Sequence, residues 1–86
     1  MHQLIFSAKF DRQLRKITKN NPELKKKIFK TLELLSEYIS HSSLKLHKLS
    51  GLIHWSVSVS YSIRIIFHIK KNQILLSDIG PHDDVY

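Results

Sequence analysis

Histidine and arginine are the residues of this sequence best suited to chemistry. The chain has six histidines, and an imidazole, whose unperturbed pKa is about 6.5, can accept or donate a proton near neutral pH. Arg64 interrupts the apolar run at residues 63–67, and an arginine within a strand needs an open face or an acidic partner. Its planar guanidinium suits a phosphate oxygen better than lysine would. A phosphate ligand and a structural ion pair both remain open for Arg64.

Two histidines stand in segments that allow more than one interpretation. His82 follows Gly80 and Pro81, where a histidine of a turn would be ordinary. His47 lies in the apolar and basic segment at residues 44–49, where a surface histidine of a strand would be equally ordinary. Residue type alone does not decide between these interpretations and a role in proton transfer.

The sequence gives little support to metal or nucleophilic catalysis. Because there is no cysteine, a thiolate metal site is excluded. No His-x-x-x-His pair lies in a predicted helix, and no His/Glu pair has the spacing of zinc proteases. Asp78, Asp83 and Asp84 lie in a predicted turn and tail, where solvated acids are common. With no glycine-rich phosphate loop either, we expect neither a metal nor another cofactor.

Length and composition indicate one domain that covers residues 1–86. A chain of this size buries only about 60% of its unfolded surface, and 42% apolar residues suffice for one core. The apolar runs at residues 63–67 and 74–76 are far shorter than the roughly 20 residues of a membrane helix. The first six residues lack the charged flank and cleavage site of a signal peptide. We expect a cytoplasmic protein without a membrane partner.

Positive charge is concentrated in the first half of the chain. The net charge is +7, and residues 1–50 hold eleven Lys/Arg against four Asp/Glu, whereas residues 51–86 hold three of each. A small domain with a basic half commonly binds a polyanion, either nucleic acid or an acidic protein. A basic surface that serves only solubility is the alternative.

The elements that must position these residues begin with a strand and two helices. Residues 2–6 predict a strand, and Ser7 is placed to cap a first helix with an apolar stripe of Phe10, Leu14 and Ile17. Asn21 as cap and Pro22 at the first helical position start a second helix. Its apolar stripe consists of Leu24, Ile28, Leu32, Leu35 and Ile39, and residues 41–43 end it.

The second half of the chain changes from helical to strand periodicity. Apolar residues alternate with small polar residues from Trp55 onward. Because strands are usually about 5 to 6 residues long, we expect a tight turn at residues 60–62. A second turn at residues 70–73 precedes a last strand at 74–79 that Gly80 and Pro81 close. The prediction is an α+β fold, β-α-α followed by an antiparallel meander, with both helices on one face of the sheet.

Three motifs occur in order along this chain. They are His-Lys-Leu-x-Gly at residues 47–51, Tyr-x-x-Arg-Ile-Ile-Phe at 61–67 and Gly-x-His-Asp-x-Val-Tyr at 80–86. Each alone would be weak, but as an ordered set, together with the predicted element order, they resemble the RelE/ParE superfamily of type II toxin–antitoxin toxins. Within it they are most similar to the YafQ-like RNA-cleaving toxins. The resemblance covers essentially the whole chain.

The resemblance implies a toxin that enters the ribosomal A site and cuts the mRNA there until a cognate antitoxin binds it. Carried over residue by residue, it implies four catalytic positions: His47, Arg64, His82 and Tyr86. Lys45 and Lys48, with lysines of the helices, would bind the RNA backbone. The implied partners are the antitoxin, the ribosome and mRNA, and a higher-order toxin–antitoxin assembly is a further expectation.

Two serines depart from the pattern of the YafQ-like toxins. Ser58 stands where those toxins have a further histidine, and Ser62 where an aspartate is common. His54 and His68 are nearby residues that could substitute for the missing groups, and the sequence does not rank them. The departures bear on how strong the ribonuclease is.

The implied reaction is chemically consistent with these residue types. RNA is cut without a metal when its 2'-hydroxyl attacks the adjacent phosphate, which requires a base, an acid and positive charge at the transition state. His47 and His82 suit the two proton transfers, each typically worth about 10² to 10⁴ in rate. Arg64 suits the charge, and Tyr86 would either stack on a base or donate its hydroxyl.

Two other functions remain open at the level of sequence. One is a ParE-like toxin that inhibits DNA gyrase with the same fold and without cutting RNA; that branch would have no chemical use for two histidines and a terminal aromatic residue. The other is a degenerate toxin that survives as an antitoxin-binding module, which Ser58 and Ser62 favour. We expect the mRNA endoribonuclease.

Overall fold

The computed structural model describes residues 2–37, 46–48 and 55–81, with the backbone alone at 46–48. Two helices and five strands make up this part of the chain. They are β1 Gln3–Phe6, α1 Ala8–Thr18, α2 Pro22–Glu37, β2 Leu46–Lys48, β3 Trp55–Ser58, β4 Ile63–Lys70 and β5 Gln73–Pro81. The α+β prediction of one strand, two helices and an antiparallel meander is confirmed.

The strands form one mixed sheet in the order β1-β5-β4-β3-β2. β2, β3, β4 and β5 pair antiparallel in sequence order, as the meander prediction requires. β1 pairs parallel with β5, which brings Gln3 next to Gln73. The element order inferred from sequence assigned no neighbour to β1, and it did not include the three-residue β2.

Both helices cover one face of the sheet, and the core lies between the two layers. Phe10 of α1 is fully buried, as are Ile28 and Leu35 of α2. They belong to one cluster with side chains of three strands, which are Val57, Ile63, Ile65, Phe67, Ile74, Leu76 and Ile79. The apolar stripes of the two helices were thus predicted correctly over residues 10–35. Ile39 and the predicted helix end at 41–43 lie outside the described residues.

The helix starts follow from capping side chains. The Ser7 hydroxyl accepts a hydrogen bond from the Phe10 amide at 2.9 Å, and Asn21 Oδ1 accepts one from the Leu24 amide at 3.1 Å. Each cap satisfies a backbone donor that has no partner within the helix. Between the helices Asn20 adopts a φ of 62°, a left-handed conformation that asparagine tolerates better than most residues.

The tight turns lie where the sequence predicts them. β3 and β4 are joined through residues 59–62, and the Ser60 hydroxyl accepts a hydrogen bond from the Ile63 amide at 3.3 Å. Tyr61, which shares the parity of the core residues, is fully exposed at the tip of this turn. β4 and β5 are joined by Lys71 and Asn72, and Lys71 has a φ of 57°.

β5 is longer than predicted and contains a bulge. It continues through Gly80 and Pro81 instead of ending before them, because Gly80 still pairs with Arg64. Ile66 pairs with Asp78 and Phe67 with Leu76, so Ser77 has no partner in the ladder. The extra residue changes the side-chain parity of β5.

Hydrogen bonds to β4 and to the cap of α1 stabilise the bulge. The Ser77 hydroxyl donates to the Ile66 carbonyl at 3.1 Å, and the Ser7 hydroxyl donates to the Ser77 carbonyl at 3.1 Å. β1 pairs with β5 only as far as Leu76. Beyond Leu76, a side chain of α1 bonds to β5 instead of β1: Gln13 Oε1 accepts a hydrogen bond from the Ile79 amide at 3.0 Å. Helix α1 thus satisfies polar groups at an edge of β5 that β1 leaves uncovered.

Candidate active site

Arg64 lies on the face of the sheet that the helices do not cover. It alternates along β4 with the core residues Ile63 and Ile65, and successive residues of a strand point to opposite faces. Its cross-strand neighbours are Ser58 on β3 and Gly80 on β5. Since both neighbours are small, the half-buried Arg64 is not covered by a bulky side chain on either adjacent strand.

The register brings position 47 to the same face as Arg64. His47 in β2 pairs with Ser56, and Ser56 pairs with Ile66, two residues along β4 from Arg64. Two strand spacings across the sheet and two residues along it amount to about 12 Å between the backbone positions of residues 47 and 64.

The bulge determines which residues of β5 share the Arg64 face. Asp78 and Gly80 pair with Ile66 and Arg64, so both lie at register positions of this face. The Asp78 carboxylate forms an ion pair of 2.7 Å with Lys9 Nζ of α1. The last described residue, Pro81, directly precedes His82 in the chain. The antiparallel pairing of β4 and β5 therefore brings Gly80, two positions before His82 in the chain, next to Arg64.

The remaining residues assigned from sequence fall into two groups. His82, Tyr86, Lys45 and His54 lie outside the described residues. Lys48 lies in β2 and pairs with Trp55, so its position alternates with that of His47. Their predicted roles stay predictions.

Two residues of this face were not assigned a role from sequence. Ser56 is fully buried between positions 47 and 66, and Asp78 is held by Lys9. The serine could have been found from the strict alternation in β3. Asp78 could not, because its face depends on the bulge. His68, named as a substitute group, is on the Arg64 face but four residues along β4, about 13 Å away.

The lysines of α2 form a separate basic surface on the helix layer. Lys25, Lys26 and Lys30 are exposed, and the helical repeat places Lys26 and Lys30 on the opposite side of α2 from the buried Ile28. Lys25 Nζ lies 5.8 Å from the centroid of the Phe29 ring, and 47% of Phe29 is exposed. This surface is separated from the Arg64 face by the core and the sheet.

The described residues contain neither a cluster suited to a metal ion nor a helix suited to a membrane. Over 2–37 and 55–81 no group of three or more His, Asp or Glu side chains is arranged to hold a metal ion. None of the helices in this part of the chain has the length and hydropathy to cross a membrane.

Comparison with solved structures identifies the fold. No family model and no curated protein sequence matches the chain. A metal-bound toxin from Helicobacter pylori is 26% identical over the full length of both chains, with a TM-score of 0.83. The chain has the fold of the RelE-superfamily toxins. The predicted resemblance is thereby confirmed for the superfamily.

Two other RelE-like structures contain a bound partner. In the DinJ–YafQ complex from Escherichia coli the similar chain has a TM-score of 0.81 at 16% identity, with 100% of this chain and 99% of that chain covered. In the heterotetrameric YoeB–YefM toxin–antitoxin complex from Staphylococcus aureus the similar chain has a TM-score of 0.78 at 18% identity. The match covers 95% of this chain and 98% of that chain. At these identities the likeness concerns the fold.

Proposed function

We propose that this RelE-like chain is the toxin of a type II toxin–antitoxin system and acts as a ribosome-dependent mRNA endoribonuclease. Structural neighbours of the chain are toxins of such systems. The chain also carries, on one face of its sheet, an arginine and a histidine position of the types that metal-free RNA cleavage requires. The partners in this proposal are mRNA, the ribosome and a cognate antitoxin.

The observation that carries the proposal is the setting of Arg64. It lies on the sheet face away from the helices, between Ser58 and Gly80, and neither of these neighbours has a side chain large enough to cover its guanidinium. A guanidinium in a partly desolvated position stabilises the extra negative charge of the phosphorane-like transition state. Small residues on both adjacent strands are compatible with an arginine that binds a phosphate.

The proton transfers are assigned to His47 and His82. One imidazole removes the proton of the 2'-hydroxyl, which then attacks the phosphorus, and the other protonates the departing 5'-oxygen. The products are a 2',3'-cyclic phosphate and a free 5'-hydroxyl. Tyr86 orients the substrate, by stacking on a base or by its hydroxyl. Lys45 and Lys48 bind the RNA backbone.

The test is cleavage of a translated message. Primer extension on mRNA from a cell-free translation reaction should show discrete cuts within the open reading frame when the protein is added. The cuts should disappear when ribosomes are omitted. End-group analysis should find a 5'-hydroxyl on the downstream fragment, and a 5'-phosphate there would contradict the mechanism.

A DNA gyrase supercoiling assay distinguishes the ParE-like alternative. Inhibited supercoiling together with intact mRNA would replace the ribonuclease proposal by the gyrase proposal. Intact mRNA and unaffected supercoiling would favour the degenerate antitoxin-binding module. The observation that favours this module is that Ser58, which replaces a histidine of the YafQ-like toxins, lies directly opposite Arg64.

A further inference from the structure

The second half of β5 has no strand along its outer edge in the part of the chain that the structure describes. β1 pairs with β5 only from Gln73 to Leu76, whereas β4 pairs with the other edge as far as Pro81. Residues 77–81 therefore have a neighbouring strand on one side only. The backbone groups on the outer side of this half need other partners.

Helix α1 supplies such partners, because the chain passes from β1 into α1 at this edge. The Ser7 amide donates to the Leu76 carbonyl at 3.1 Å, and the Ser7 hydroxyl donates to the Ser77 carbonyl at 3.1 Å. Further along α1, Gln13 Oε1 accepts a hydrogen bond from the Ile79 amide at 3.0 Å. The start of α1 thus bonds to β5 at the bulge, and Gln13 bonds to it beyond the bulge.

The place of Gln13 in α1 follows from the helical repeat. It comes three residues after the fully buried Phe10 and four residues before the partly buried Ile17. It therefore flanks the apolar stripe of the helix and is itself half-buried. An apolar residue at this position could pack beside the core as well, but it would leave the Ile79 amide without its acceptor.

The bond to Ile79 acts on the strand directly beside the candidate active site. Ile79 pairs with Ile65, and the next residue, Gly80, pairs with Arg64. Successive amides of a strand point to opposite edges, so α1 holds β5 from outside at Ile79 while β4 holds it from inside at Gly80. A movement of β5 away from β4 at this point would separate Gly80 from Arg64.

We propose that Gln13 is a positioning residue of the ribonuclease, which keeps the end of β5 in place beside Arg64. The inference rests on the proposed function for the reaction, but not for the hydrogen bond. Gln13 acts through Ile79 and not on the substrate. Its bond fixes residues 79–81, after which the chain continues directly to His82, the residue to which a proton transfer is assigned.

The size of the expected effect follows from the geometry that the reaction requires. A misplacement of about 1 Å, caused by a mutation far from the reacting atoms, can cost about 100-fold in rate. Without the acceptor of Gln13, the end of β5 is held by β4 alone and separates from it more often. We therefore expect a lower rate of the chemical step and unchanged binding of the ribosome.

The test compares Gln13→Met with Gln13→Glu in single-turnover cleavage on programmed ribosomes. Methionine is similar in length and helix propensity but is only a weak acceptor, whereas glutamate keeps an acceptor oxygen. Gln13→Met should lower the maximum rate about 10-fold or more and change the half-saturating ribosome concentration by less than about 2-fold. Gln13→Glu should cut within about 3-fold of the parental rate. Parental cleavage by Gln13→Met, or an equal loss in both variants, would overturn the proposal.

Leu14→Ala is the matched control for a merely structural role. Leu14 is the next residue of α1 and packs against the core, so its truncation should lower Tm at least as much as Gln13→Met does. At a temperature where both variants are folded, Leu14→Ala should still cut within about 3-fold of the parental rate. If cleavage instead fell in proportion to Tm in both variants, Gln13 would act through stability alone.

Amide hydrogen exchange measured by NMR tests the same bond without the ribonuclease. In Gln13→Met the amides of Ile79 and Gly80 should exchange about 10-fold faster or more, whereas those of residues 74–76, in the half of β5 that pairs with β1, should change by less than about 3-fold. Leu14→Ala should not produce this contrast between the two halves of the strand. Equal acceleration of both halves in Gln13→Met would contradict the positioning role.

The outcome for Gln13 is separable from that for the ribonuclease. If the parental chain did not cut mRNA, the ribonuclease would be refuted, and faster exchange confined to residues 79–80 in Gln13→Met would still support the fixing of β5 by Gln13. Parental cleavage together with unchanged exchange and unchanged cleavage in Gln13→Met would refute the role of Gln13 and leave the ribonuclease supported.

Discussion

The two faces of the sheet use the same strands for different purposes. On the helix side of β4, Ile65 and Phe67 are fully buried and belong to the same hydrophobic cluster as Phe10 of α1 and Ile28 of α2. On the other side, Arg64 has serine and glycine as its neighbours. One face excludes water through apolar contacts, and the other retains polar groups that a packed core would exclude.

This difference indicates that residues for packing and residues for function occupy separate positions along the same strands. A strand residue contributes to only one face, so alternate positions can be selected for packing and for chemistry independently. We therefore expect substitutions on the Arg64 face to change activity more than stability, and substitutions on the helix face to do the reverse.

The largest expected effect is on cleavage by the proposed catalytic residues. If His82 has its proposed role, His82→Ala should lower single-turnover cleavage on programmed ribosomes by about 10² to 10⁴, because a proton-transfer group is then lost. Arg64→Ala should lower it by about 10² to 10³, and Arg64→Lys should restore only part of this, since lysine lacks the planar fork of donors. The double variant should fall short of the product of the single losses. A folded His82→Ala protein that cuts at the parental rate would remove His82 from the mechanism.

Phe67→Ala tests the helix face of the same strand. It should lower the free energy of unfolding by about 3 to 5 kcal/mol, since it leaves a cavity in the core. Ser58→Ala on the Arg64 face should change the free energy of unfolding by less than about 0.5 kcal/mol. Ile65→Val, with an expected loss of about 0.5 to 1.5 kcal/mol, keeps the test measurable if Phe67→Ala does not fold. Urea denaturation measures the free energy of unfolding of all three variants. If Ser58→Ala lowered it as much as Ile65→Val does, the two faces would not differ in their contribution to stability.

Ser7 couples the two faces through the bulge. Ser7→Ala removes the α1 cap and the hydrogen bond to the Ser77 carbonyl, and should cost about 1 to 2 kcal/mol in denaturation. Ser7→Asp keeps a capping acceptor but cannot donate to that carbonyl. If the bulge positions Gly80 beside Arg64, Ser7→Asp should be more stable than Ser7→Ala and still have a lowered cleavage rate. Parental cleavage by Ser7→Asp would show that the link to Ser77 is purely structural.

The smallest expected effect belongs to a turn that serves neither face. Lys71 has a φ of 57°, which costs a residue with a Cβ about 1 kcal/mol. Lys71→Gly should therefore raise the free energy of unfolding by about 0.5 to 1 kcal/mol, with an unchanged cleavage rate. Asn72→Gly, at the adjacent residue without a positive φ, should not raise it. A destabilised Lys71→Gly protein would contradict the expected relief of strain.

Local features of this fold were predictable from the sequence because they depend on residues a few positions apart. The caps at Ser7 and Asn21, the turn at residues 59–62 and the alternation around Arg64 each follow from side chains within one turn or one strand. The three motifs likewise predicted the RelE-like fold. Of the candidate site, this reasoning placed Arg64 within a strand.

The parallel pairing of β1 with β5 and the Ser77 bulge were decided by the tertiary structure. β1 and β5 join residues about 70 positions apart, and no local pattern specifies such a partner. The core residues Ile74 and Leu76 are two positions apart, but Leu76 and Ile79 are three apart. This change of spacing is typical of a bulge, but it would also fit a strand that ends before Ile79.

The sequence by itself determined which side chains are available for chemistry and which face of each element is apolar. Only the tertiary structure decided that Gly80 lies beside Arg64, that position 47 reaches the same face and that Gln13 of α1 bonds to β5. The physical reason is that periodicity is a property of the backbone, which any segment expresses alone, whereas a site is formed by contacts between segments whose register is selected when the whole core packs.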